Sequence, residues 1–231
     1  MRATDTAVRR ASIMAMAVAA IFLGGGVVSG DEPASEEAGK DIEMSPISGP
    51  PEQPRRHFRL RSPAELTPSD ASGYYDIIRG ALSNGYGRSG LSAARSYQRW
   101  RRYNRAPYLS SAHGNHYLNN YANATASAYG GYEKAGELPV GSVIAKDSFA
   151  VTRTGGILLG PLFIMEKMPA GFSYVSGDWR YTLVQPDGTV LGRTKGEGAE
   201  RVQYCIGCHL AVEDQDHLYF VPEPYRLAPG E

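Results

Sequence analysis

The sequence predicts an α+β fold in which helices are followed by an antiparallel β-meander. Apolar residues first recur at helical spacing, and after the Pro-Val-Gly at residues 139–141 they alternate as in strands. Turn-forming residues then separate several short β-type segments. The chain has 15 tyrosines against 6 phenylalanines and 2 tryptophans, a balance that fits half-buried sheet surfaces with hydrogen-bonded hydroxyls.

The helical half contains three predicted helices. Residues 74–82 and 92–103 have the spacing of amphipathic helices, and Ser92 is a suitable N-cap for the second. The third predicted helix covers residues 116–135, which are rich in Ala, Asn and Tyr.

The β half contains two predicted hairpins. Residues 142–152 and 157–168 form the first, joined by an Arg-Thr-Gly-Gly turn. Residues 179–184 and 189–193 form the second, around a Gln-Pro-Asp-Gly turn. Helices followed by an antiparallel meander make an α+β domain.

The N-terminus is typical of a secretory signal peptide. Arg2, Arg9 and Arg10 precede a short apolar run, which ends in small residues at Gly30. We therefore predict a signal peptide over residues 1–30 and a periplasmic location after its cleavage. An uncleaved N-terminal membrane anchor is the alternative, because the apolar stretch reaches about 18 residues, near the minimum for crossing a bilayer.

A disordered linker is predicted between the signal peptide and the folded domain. Residues 31–69 are rich in Pro, Glu and Ser and have few large apolar side chains, so they cannot offset the entropy of ordering. The folded domain is predicted over residues 70–231. The formal net charge is zero, which gives no electrostatic support for nucleic acid as a partner.

A C-x-x-C-H motif near the C-terminus carries the clearest chemical signal. Its two thiols, Cys205 and Cys208, can form thioethers with the two vinyl groups of one haem, and His209 is then held beneath the iron as its proximal ligand. One such motif predicts one covalently attached haem c.

Three other interpretations of these cysteines remain open. A thioredoxin-like redox motif would lie near the start of an α/β domain, whereas this motif follows the β-meander. A zinc site would need His209 and His217 as further ligands, at a spacing that fits no recognised finger. A simple disulfide between Cys205 and Cys208 is the third. Export to a compartment where haem c is assembled favours the haem.

The ordered motifs of the domain resemble cytochrome P-460 and its relatives, the cytochromes c′-β. The resemblance spans about residues 97–225. It is carried by V-G-S-V-x-x-K ending at Lys146, G-D-W at 177–179, P-D-G at 186–188 and the C-x-x-C-H motif at 205–209. It implies a mainly antiparallel sheet with flanking helices, a homodimer, and a five-coordinate haem iron with an open distal face.

The resemblance also implies one of two chemistries. Cytochromes P-460 carry a lysine cross-linked to the haem edge and oxidise hydroxylamine, whereas cytochromes c′-β look like nitric-oxide binders. Lys146 is the candidate for the cross-link; alternatively it is a strand lysine facing solvent, with Lys134 and Lys167 as weaker candidates. The enzyme would be a hydroxylamine-oxidising oxidoreductase with a redox partner cytochrome. The alternative is a non-enzymatic c-type cytochrome acting in electron transfer or gas binding.

Hydroxylamine oxidation removes protons, so a base is expected near the substrate. Asp147 and Glu166 on the predicted strands are candidates, although alternation points Asp147 away from Lys146. His113 and His116 are candidates for the distal haem pocket. The residues expected to be structural are Met165, Met168 and His217.

Overall fold

The computed structural model describes residues 42–43 and 57–228. They form a mostly antiparallel sheet with a few helices, which confirms the predicted α+β class. The predicted signal peptide and most of the predicted linker lie outside the described residues. Within those residues, no helix has the length and apolar character needed to cross a bilayer.

The first long helix, α1 (Pro68–Gly87), packs across one face of the sheet. It begins at Thr67, whose hydroxyl accepts a hydrogen bond from the backbone N–H of Asp70, and Pro68 occupies the first turn. A short helix, α2 (Ser92–Ser96), follows. The buried face of α1 recurs at helical spacing and consists of Ala71, Tyr75, Ile78, Leu82, Gly85 and Tyr86.

The sequence predicted that the folded domain starts at Asp70. In the structure, residues before Asp70 also belong to the folded part. Leu60 is buried, and its backbone N–H donates to the carbonyl of Gly114 at 3.0 Å. The backbone N–H of Ala64 likewise donates to the carbonyl of Val151 at 2.7 Å. The last residues of the predicted linker therefore belong to the domain.

The described residues form ten strands. In chain order these are β1 (Ile42–Glu43), β2 (Arg59–Leu60), β3 (Arg101–Arg102), β4 (Tyr108–Ser110), β5 (His116–Ala122), β6 (Val143–Val151), β7 (Ile157–Leu159), β8 (Leu162–Lys167), β9 (Trp179–Val184) and β10 (Val190–Arg193). β1 pairs with β2, and the other eight form one antiparallel sheet in the order β10-β9-β8-β6-β5-β3, with β4 beside β5 and β7 beside β6.

The remaining elements are short helices. α3 (Gln203–His209) follows the sheet. The 3₁₀ helices are Tyr97–Arg99, Ala124–Lys134, Tyr174–Ser176, Ala199–Val202, Leu210–Gln215 and Glu223–Tyr225.

Two of the predicted helices are wrong. The helix predicted over 92–103 ends as α2 at Ser96, and β3 follows at Arg101. The helix predicted over 116–135 is strand β5 followed by a 3₁₀ helix. β5 is covered on both faces, so apolar and polar residues do not alternate along it and the strand signal is lost.

The predicted hairpins agree better with the structure. The predicted strands at 142–152, 179–184 and 189–193 correspond to β6, β9 and β10. The strand predicted over 157–168 is divided into β7 and β8 at Gly160 and Pro161, because proline has no N–H to donate to a neighbouring strand.

The sheet separates two clusters of buried side chains. On one face, α1 residues such as Leu82 pack with Phe149 and Leu162. On the other, Ile144 and Trp179 pack against the residues around α3. Successive β6 residues therefore serve opposite clusters, and the candidate site lies on the second face.

Candidate functional site

A cavity of about 380 Å³ lies between the second face of the sheet and α3. Strands β6, β8 and β9 supply one wall, and α3 with the segment after it supplies another. Most of the lining is apolar and includes Ile144, Phe163 and Leu183. A concave, mainly apolar site with a few polar groups is typical of cofactor binding.

All three chemical residues of the C-x-x-C-H motif line this cavity. Cys205, Cys208 and His209 occupy positions i, i+3 and i+4 of α3, which share one face of a helix. Both thiols are free. Burial raises the pKa of Cys205 to about 12, the opposite of what a reactive redox thiolate needs. The part of the chain that the structure describes has no cluster of three or more His, Cys, Asp or Glu residues suited to a metal ion.

The imidazole of His209 is oriented for coordination. Its Nδ1 lies 2.6 Å from the backbone carbonyl oxygen of His217, which can only accept, so Nδ1 donates and Nε2 keeps its lone pair. Burial lowers the pKa of His209 to about 3, which keeps the ring neutral. The rings of Tyr181 and Tyr219 each contact it edge-on, with centroids 5.1 Å away. The backbone carbonyl of His217 therefore orients the ring of His209. This agrees with the expectation that His217 is structural.

Lys146 is the only described lysine among the residues that line the cavity. Its side chain is 5% exposed, and Nζ donates to the carbonyl of Tyr219 at 3.3 Å. Burial lowers its pKa from 10.5 to about 8. The solvent-facing alternative is thus wrong. Lys134 is exposed, and Lys167 forms a salt bridge with Asp216 at 2.5 Å outside the cavity.

A comparison with known protein families identifies the family of the chain. A sequence model of the family described as Cytochrome P460 matches residues 94–220, more than half of the chain. The chain belongs to the cytochrome P460 family. This confirms the resemblance predicted from the sequence, and membership implies that the protein binds haem. The comparison with curated proteins gives no match.

The cavity of this cytochrome fits a haem by its own chemistry. It offers two free thiols and the neutral Nε2 of His209 on one helix face. The hydroxyl of Tyr181 is buried at the cavity wall and has no hydrogen-bond partner among the described residues. Such a buried polar atom is costly unless a bound group or water satisfies it.

Neither predicted carboxylate base lies in the cavity of the cytochrome. Asp147 faces the first cluster, where it accepts hydrogen bonds from Tyr75 and Tyr97 at 2.6 and 3.0 Å. Glu166 pairs with Arg180 at 3.0 Å. In the described residues, the lining contains no carboxylate.

Histidines, and not carboxylates, are among the polar residues that line the cavity. His113 lines both this cavity and a smaller adjoining one of about 120 Å³, whereas His116 lines only the smaller one. His57 lines both, although it falls within the predicted linker and no motif marked it. Met165 forms part of the cavity wall and Met168 does not.

Proposed function

We propose that this chain is an exported mono-haem c-type cytochrome that binds or oxidises a small nitrogen compound, hydroxylamine or nitric oxide. Cys205 and Cys208 attach the haem by thioethers, and His209 ligates its iron. The observation that carries the proposal is the common cavity of these residues with buried Lys146. When bound, haem supplies an iron coordination position and a redox centre.

The residues of the chain prepare this cavity in three ways. His209 presents a neutral Nε2 because its Nδ1 is engaged by a carbonyl. Apolar side chains such as Ile144 and Phe163 limit the entry of water. Lys146 adds an amine to the lining, and burial lowers its pKa.

Lys146 is proposed as the residue that would be cross-linked to the haem. A C–N bond would replace one N–H bond of the lysine and one C–H bond of the haem edge, and an oxidant of the peroxide class would take up the two hydrogens. An ammonium group is not a nucleophile, whereas a neutral amine is. A pKa of about 8 in place of 10.5 raises the neutral fraction at pH 7 by roughly two orders of magnitude. A carbonyl rather than a carboxylate is its hydrogen-bond acceptor, which leaves the amine without a stabilising negative charge.

Binding without chemistry is the second candidate function. It is favoured by the mainly apolar lining, in which no described residue contributes a carboxylate base. Hydroxylamine oxidation needs a proton acceptor, whereas binding of nitric oxide needs only space and an apolar wall. The non-enzymatic protein would act in gas binding or electron transfer.

Mass spectrometry of the denatured protein tests the attachment. We expect one haem to remain on the wild-type chain, and none on the double variant Cys205→Ala, Cys208→Ala. Haem that stays covalently bound to the double variant would contradict the proposed thioethers.

An optical spectrum of the reduced protein separates the two candidate functions. A cross-linked lysine should give a red-shifted, broad Soret band, which Lys146→Arg should return to an ordinary c-type position. Lys134→Arg is the matched control, since this exposed lysine lies away from the cavity. A sharp low-spin α band in the wild-type protein, without hydroxylamine-dependent reduction of an electron acceptor, would rule out the enzymatic function.

Export and partners are part of the same proposal. We expect cleavage after Gly30, so the intact mass of the secreted protein should begin at Asp31, whereas an uncleaved anchor would retain Met1. The proposal also includes a homodimer and a redox partner cytochrome. Light scattering should give twice the mass of the mature chain, and a monomer would rule out the dimer.

A further inference from the structure

His57 and His113 are brought together at the cavity from distant parts of the chain. Their imidazole rings are stacked, with centroids 5.2 Å apart and planes inclined by 22°. Both rings line the cavity that holds Cys205 and His209. His57 lies outside the residues that the family model matches, whereas His113 lies within them.

The segment that carries His57 is held against the turn that carries His113. The backbone N–H of Leu60 donates to the carbonyl of Gly114 at 3.0 Å, and the side-chain amide of Asn115 donates to the carbonyl of Leu60 at 2.8 Å. Gly114 has a φ of +76°, and a Cβ there would lie 1.9 Å from the carbonyl oxygen of Phe58. Only glycine permits this close approach.

Neighbouring side chains also hold the two imidazole rings in place. Phe163 packs edge-on against both, with centroids 4.9 Å from each. The Nδ1 of His57 lies 2.9 Å from the hydroxyl of Tyr204, the residue before Cys205. The Nδ1 of His113 lies 2.9 Å from the hydroxyl of Ser110. The histidine pair is therefore connected to both α3 and strand β4.

These contacts leave the second nitrogen of each ring available. No described residue forms a hydrogen bond with Nε2 of His57 or His113. Burial lowers the pKa of His57 to about 3 and that of His113 well below its usual value, so both rings are neutral. A neutral imidazole can donate or accept one hydrogen bond at Nε2, according to its tautomer.

We propose that the stacked imidazoles of His57 and His113 form the polar cap of the haem cavity and hydrogen-bond a small diatomic or nitrogen-containing ligand held there. The inference rests on the proposed function for the presence of the haem, and it assigns recognition of the ligand. It makes the segment before α1 part of the binding site. Polar donors beside a haem ligand govern its affinity and bond polarisation.

Infrared spectroscopy of carbon monoxide bound to the reduced, haem-loaded protein tests the cap. A hydrogen-bond donor near the outer atom polarises carbon monoxide and lowers its stretching frequency. We expect His57→Phe and His113→Phe to raise that frequency. His116→Asn is the control, because His116 lies outside the main cavity and an asparagine amide can keep the hydrogen bond that the His116 ring makes to the carbonyl of His113. This variant should leave the frequency unchanged.

Gly114→Ala provides a second variant that keeps both histidines. Its added methyl group must displace Phe58 and the segment that holds His57, so it should raise the frequency as His57→Phe does. An unchanged frequency in His57→Phe and His113→Phe, with haem and carbon monoxide bound, would overturn the cap and leave the proposed function intact. A purified wild-type chain without haem would instead overturn the proposed function.

Discussion

Asp147 should make the stability of the domain depend on pH. Its side chain is fully buried, and burial raises its pKa from 3.8 to about 6 despite hydrogen bonds from Tyr75, Tyr97 and Asn119. Between these two pH values the folded chain keeps the proton that the unfolded chain releases. The contribution of Asp147 to stability is therefore complete below pH 4 and is lost as the pH rises through 6.

The size of this effect follows from the pKa shift. About two pH units correspond to about 3 kcal/mol in the free energy of unfolding, with 1.36 kcal/mol per unit. Asp147→Asn cannot ionise, so its free energy of unfolding should lack this loss. The free energy of unfolding of the wild type minus that of Asp147→Asn should therefore be about 3 kcal/mol smaller at pH 7 than at pH 4.

Urea denaturation followed by far-ultraviolet circular dichroism measures this difference at each pH. Asp76→Asn is the control, because Asp76 is an exposed carboxylate on the same helix as Tyr75. Its curve should run parallel to that of the wild type. Parallel curves for Asp147→Asn and wild type would refute the argument that the buried carboxyl holds its proton.

Two further stability predictions use the same measurement. Asp216→Ala removes the buried partner of Lys167, both 5% exposed, and should cost about 3–5 kcal/mol, whereas Glu133→Ala at a more exposed pair should cost less than about 1 kcal/mol. Equal losses in the two variants would contradict this. Thr67→Ala removes the N-cap of α1 and should cost about 1 kcal/mol, while Thr67→Asp should retain most of the stability. A stable Thr67→Ala would show that the cap contributes little.

The β half of the fold could be predicted because its signals are local. β9 and β10 flank a turn whose residues favour that geometry, so short segments of sequence suffice. β5 could not be predicted, because its neighbours on both faces come from elsewhere in the chain. Tyr121 packs in the first cluster and Leu118 in the second, and the resulting pattern of large residues also fits a helix.

The candidate site divides in the same way. The C-x-x-C-H motif could be recognised because three of its positions share one helix face over a single turn. The burial of Lys146 depends on the C-terminal segment that covers β6 and supplies the carbonyl of Tyr219. His57 reaches the cavity through pairing with residues more than fifty positions away, and no local pattern reports such a contact.

A set of hydrogen bonds through the sheet connects the two faces of β6. On the Asp147 side, the amide of Asn119 donates to the carboxyl at 3.0 Å, and Asn104 donates to Asn119 at 2.9 Å. Asn104 also accepts from the backbone N–H of Asn120 at 2.7 Å. The side chain of Asn120 donates in turn to the hydroxyl of Tyr129 at 2.7 Å.

The same hydrogen bonds help to explain why the buried Lys146 has no carboxylate partner. Tyr129 donates to the carbonyl of Tyr219 at 3.2 Å, and Lys146 donates to that carbonyl from the cavity side. A carboxylate in the cavity would hold Lys146 as an ammonium ion, because opposite charges favour the charged form. Alternation along β6 instead directs Asp147 into the first cluster, where three hydrogen bonds satisfy it. The strand therefore separates an acid from an amine, and the amine on the cavity side keeps a pKa that burial lowers to about 8.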